Sequence, residues 1–96
     1  MPEPPWDVLD PGIVDVVRVI HEAGFETIAS CQGHGSEDAW VMVLPPEGKA
    51  WVTARALGEL LVDTGWDGQA VVSIRWALRE PELWIEVRWW GEVPFR

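Results

Sequence analysis

Ninety-six residues is the length of one domain with one core. An apolar fraction of 48% and a mean hydropathy near zero place the chain among globular proteins, and no apolar run approaches the roughly 20 residues of a membrane helix. Sixteen acids against seven bases give a formal charge of −9, which repels phosphate backbones and argues against direct nucleic-acid binding; such a surface maintains solubility, and can also attract a basic partner or imitate nucleic acid on a protein that binds it.

Residues 1–9 carry three prolines and little pattern, and read as an extended arm. Its start, Met1-Pro2-Glu3-Pro4-Pro5, is the opposite of a basic-then-apolar secretory signal. With a single cysteine, and so no internal disulfide, the expected compartment is the cytoplasm. Asp10-Pro11 has the chemistry of a helix start, a capping side chain before a proline that needs no N–H partner. The spacing of Ile13, Val16, Val17, Ile20 and Ala23 predicts a helix over 11–23, stopped by Gly24 in the left-handed region. Asp15, Arg18 and Glu22 share its outer face, and His21 falls at the boundary of the apolar stripe.

Phe25 to Ser30 reads as a short strand delivering Cys31 to its end, and 31–38 as a loop. Ala39 to Leu44 is apolar on both alternating faces, the pattern of a central strand. Pro45-Pro46 ends it. A second helix is predicted over 48–63, burying Ala50, Ala54, Leu57 and Leu61, with Arg55 and Glu59 paired outside. Gly58 in mid-helix is unfavourable by roughly 1 kcal/mol against alanine, so a close approach to the sheet is expected there. After the Trp66-Asp67-Gly68 turn, Gln69 to Leu78 alternates strictly, with Ala70, Val72, Ile74, Trp76 and Leu78 on one side. A hairpin at 79–82 leads into a strand over 83–90, with Leu83, Ile85, Val87 and Trp89 toward the core.

The order α-β-β-α-β-β predicts a single α+β domain over 1–96: a two-layer sandwich with a four-stranded, mostly antiparallel sheet and both helices on one face. The other face would then carry Arg75, Trp84, Glu86, Arg88 and Trp90, unless the arm and tail fold over it. Eight tryptophans with no tyrosine exceed what one small core easily encloses, so some indoles should lie partly exposed. Indoles beside arginines are the composition of a protein-binding or self-associating surface.

The loop Ser30-Cys31-Gln32-Gly33-His34-Gly35 holds the only cysteine and one of two histidines. Cys31 and His34 have the gap that lets both reach one zinc; the second ligand pair is missing, His21, Glu37 or Asp38 could complete a set, and a lone C-x-x-H is a weak signal, so no metal or cofactor is expected. Cys31 activated by His34 and oriented by Glu37 or Asp38 would make a thiol nucleophile. A third reading has Gly33 and Gly35 present backbone N–H groups to a partner. The fourth is a structural turn, with Cys31 pointing toward the first helix and His34 toward solvent.

The run Gly24-Phe25-x-Thr27-x-x-Ser30-Cys31-Gln32-Gly33, with the following strand, helix, Trp84-x-Glu86 strand and Phe95-Arg96 tail, resembles a group of small uncharacterised bacterial and phage proteins. Their shared core is Gly-aliphatic-x-Thr-x-x-Ser-Cys-x-Gly. The resemblance implies that the loop is the focal site and brings no activity with it. Here His34 replaces a second glycine, and Trp40-Val41 stands where a Pro-Glu-Pro element occurs. Thr27-x-x-Ser30-Cys31-x-Gly33 is also locally similar to the wybutosine-synthesis methyltransferase family.

The expectation is a small acidic interaction module without a cofactor. It would engage a protein partner or a second copy through Arg75, Trp84, Arg88 and Trp90 and through the loop residues Ser30, Cys31, Gln32, Gly33 and His34. The alternative is a thiol-dependent or metal-assisted enzyme centred on Cys31 and His34.

Overall fold

A computed structural model of the chain describes residues 13–31, 38–79 and 82–90. The first helix, α1, spans Val14–Glu22 and buries Val16, Val17 and Ile20. It begins at Ile13 without a side-chain cap; the expected cap at Asp10-Pro11 lies outside the described residues. Its end closes twice: Phe25 N–H donates to the Ile20 carbonyl and Gly24 N–H to that of His21, with Gly24 at φ +99. That pattern needs a left-handed residue just past the helix, which glycine adopts without strain.

Four strands follow the predicted order: β1 (Glu26–Cys31), β2 (Ala39–Leu44), β3 (Ala70–Ala77) and β4 (Glu82–Trp89), with α2 (Ala50–Thr64) between β2 and β3. The sheet is antiparallel throughout and ordered β1-β2-β4-β3. β2 is therefore an inner strand, as its two apolar faces require. The hairpin residues 80–81 lie outside the described residues.

Because side chains alternate along a strand, Ala39, Val41 and Val43 of β2 and Ile85, Val87 and Trp89 of β4 all enter one side. There they meet Ile13, Val16, Val17 and Ile20 from the first helical layer and Ala54, Leu57 and Leu61 from α2. α1 packs over β1, and α2 over β3 and β4. Trp89 is fully buried, and its indole N–H donates to the Trp66 carbonyl at 2.7 Å. That bond removes the penalty of enclosing an indole N–H.

Four expectations need correction. Thr53, not Ala50, completes the buried stripe of α2, because the helix begins at Ala50 and its first residue sits at the layer's margin. Gly58 makes no close approach: a Cβ there would find nothing within 4 Å. The helix-side stripe of β3 is covered only at its start, since exposure rises to 41% at Ile74, 65% at Trp76 and 89% at Leu78. Cys31, finally, does not point toward α1. An irregularity between Thr27 and Ala29 inserts Ile28 as an unpaired residue, so the register runs Thr27 to Val43 but Ser30 to Val41 and Cys31 to Trp40. The extra residue inverts the alternation, turning Ser30 to the helix side and Cys31 to the other.

Candidate functional site

The side of the sheet away from the helices is built from the residues that β2 and β4 do not send inward. Its rows follow from the register. One row reads Cys31, Trp40, Arg88, Val71; the next reads Ala29, Met42, Glu86, Ser73; a third sets Trp84 opposite Arg75. Glu86 stands near the middle and is only 8% exposed. Its Oε2 accepts from Arg75 Nη2 at 3.1 Å and from Arg88 Nε at 3.2 Å, and its Oε1 from Arg88 Nη2 at 3.5 Å.

Burial pushes the Glu86 carboxyl up, but the hydrogen bonds and charges of Arg88 and Arg75 outweigh it and hold the group below its usual value. Glu86 is therefore ionised at neutral pH and has no proton to donate. Glu86 is thus shared between two guanidiniums. The Arg75 side chain is 50% exposed. Trp84 beside it is half-buried, with its Nε1 enclosed and without a hydrogen-bond partner. Trp90 lies exposed just past β4, its backbone N–H donating to the Gln69 carbonyl.

Of the sequence-predicted site residues, Arg75, Trp84 and Arg88 fall on one side of the sheet, while Trp90 lies exposed just past β4. Cys31 joins them, because Trp40 alone separates it from Arg88 along the row, a span of two strand spacings or about 10 Å. Ser30 is on the other side, its Oγ enclosed without a hydrogen-bond partner. Gln32, Gly33 and His34 lie outside the described residues. Among the described residues no three metal-ligating side chains come together, and no helix is long and apolar enough to cross a membrane.

Sequence reasoning missed Trp40 and Met42, which connect the cysteine end of β1 to the arginine group. β2 is apolar on both faces, so its inward side is not evident from alternation alone. The smaller Ala39, Val41 and Val43 against the larger Trp40 and Met42 is the signal that separates them. An apolar groove of about 480 Å³ also opens where β2 meets α2, lined by Leu44, Pro45, Pro46, Ala50, Trp51 and Leu83 among others. It lies at the opposite end of β2 from Cys31 and offers a thiol no cavity.

Comparison with protein families, with curated proteins and with solved structures finds no match to this chain.

Proposed function

We propose that this chain is a small acidic interaction module of the cytoplasm, which engages a protein partner through the sheet side opposite its helices. The supporting observation is the Arg75, Glu86 and Arg88 group. A buried carboxylate holds two guanidiniums on this side of the sheet, beside Trp40 and Trp84. Fixed arginines lose little side-chain freedom on binding, and arginine and tryptophan are the residues that most often anchor protein interfaces. The chemistry suits a partner segment bearing a carboxylate next to apolar side chains. Cys31 stands at the β1 end of that surface.

A photo-crosslinking side chain placed at Ala29, exposed on this side, and another at Val52, exposed on α2, test the reading in a lysate of the source cell. A defined adduct from position 29 and none from position 52 is expected. Adducts from position 52 alone would overturn the assignment of the surface.

A further inference from the structure

β3 closes one edge of the sheet, and among the described residues nothing pairs with its outer side. Which of its backbone groups face outward follows from one bond. Trp90 N–H donates to the Gln69 carbonyl, so the pair 69 and 90 is a hydrogen-bonded one. In an antiparallel ladder such pairs alternate with non-bonded ones. The register then makes 71 with 88, 73 with 86 and 75 with 84 the bonded pairs. Val72, Ile74 and Trp76 are left with their N–H and C=O groups directed away from β4.

This edge lacks the devices that usually protect one. It has eight residues, with no proline, no acid, no lysine and no irregularity in its pairing. Its one charge, Arg75, is turned to Glu86 of the same chain. The side chains that accompany the outward groups include the exposed Ile74 and Trp76. β1, the other edge, has six residues, carries Glu26 and is interrupted at Ile28. Irregular, charged edges resist strand addition, whereas long, regular, apolar ones template it.

We propose that β3 pairs antiparallel with β3 of a second copy of this chain, joining two sheets into one of eight strands about a twofold axis. The inference goes beyond the proposed contact surface, since it uses the edge and not the face. Only registers that match outward residues with outward residues are allowed, and charge and side-chain pairing choose among them. A twofold at Ile74 sets Ile74 against itself, Trp76 against Val72 of the second copy and Arg75 against Ser73 of the second copy. A twofold at Arg75 would oppose two arginines, which is destabilising. A twofold at Ser73 would set Trp76 against Ala70 and give up the aromatic and β-branched pair. The absence of any acid in β3 lets two bodies of net charge −9 meet there without opposed carboxylates in the ladder.

Sedimentation equilibrium over a concentration series, with amide hydrogen exchange at each concentration, tests the pairing. The wild-type chain is expected to reach twice the monomer mass. In step with that, exchange should slow at Val72, Ile74 and Trp76 while Val71, Ser73 and Arg75 stay unchanged. Ile74→Pro removes an outward N–H without breaking a bond to β4, a placement proline tolerates at an edge; it should remain folded by circular dichroism and monomeric. Trp76→Lys, at an exposed position, places a charge on the edge and should do the same. A wild-type chain that stays monomeric at every concentration overturns the proposal, even if another protein's strand protects the same amides. So does a dimer in which Val72, Ile74 and Trp76 exchange freely, or one that survives Trp76→Lys.

Discussion

The two sides of this sheet solve opposite problems with the same residue types. On the helix side, Trp89 is fully enclosed and its N–H is satisfied by the Trp66 carbonyl. On the far side, Trp84 encloses its Nε1 without a hydrogen-bond partner, beside an arginine that stays half exposed. A core indole with its bond made is a finished interaction. The Arg75 guanidinium, half exposed with donor capacity left over, is suited to completion by another molecule. One strand serves both sides: β4 contributes Ile85, Val87 and Trp89 to the core and Trp84, Glu86 and Arg88 to the surface proposed for recognition.

The division breaks hardest at Trp89. Trp89→Ala empties a closed core and removes the bond to the Trp66 carbonyl, and a loss of about 3–5 kcal/mol is expected in urea unfolding. A loss below about 1 kcal/mol would mean that the core does not close around this indole.

Glu86→Gln ranks next, because it leaves two guanidiniums facing one another without their shared carboxylate. A loss of about 2 kcal/mol near neutral pH is the expectation, from hydrogen bonds to charged groups. The pH dependence has a definite sign. The folded-state carboxyl titrates below its unfolded value of about 4.3, so its contribution is complete above that value and is lost as pH falls through the lower, folded-state one. The stability gap between wild type and Glu86→Gln should therefore be constant above about pH 5 and shrink in acid. A gap that widens in acid would contradict the ion group as described.

Gly58→Ala sharpens the comparison from the helix layer. Since nothing lies within 4 Å of a Cβ at this position, alanine should stabilise the protein by about 1 kcal/mol, visible as a raised melting temperature. A destabilised variant would restore the close approach of α2 to the sheet that the structure does not contain.

Much of this architecture was legible in the sequence. Alternation over 69–78 and 83–90 located β3 and β4, and the doubly apolar run 39–44 located β2 as an inner strand. Gly24 marked the end of α1, and Arg55 with Glu59 formed the expected pair at 3.3 Å. The order β1-β2-β4-β3 was not legible, because alternation identifies a strand's faces and not its neighbours. The irregularity at Ile28 was hidden too: Thr27-Ile28-Ala29 contains no glycine or proline to announce it. That single residue decides the side on which Cys31 emerges, so the relation between the cysteine and the arginine group could not be read from spacing. Nor could the declining cover over β3. Ile74, Trp76 and Leu78 alternate as well as Ala70 and Val72 do, and only the placement of α2 distinguishes them.

The central claim, that recognition belongs to the side opposite the helices, is tested most directly by making one charge change on each side. Arg75→Ala and Arg55→Ala remove the same group, from the Glu86 cluster and from the exposed Glu59 pair on α2 respectively. Partial exposure limits the stability cost of each to about 1 kcal/mol or less, so both should remain folded at assay temperature. With wild type as reference, the yield of the adduct captured from position 29 is measured for each variant. The account predicts that Arg75→Ala loses the adduct while Arg55→Ala retains it; equal yields from the two variants would contradict it.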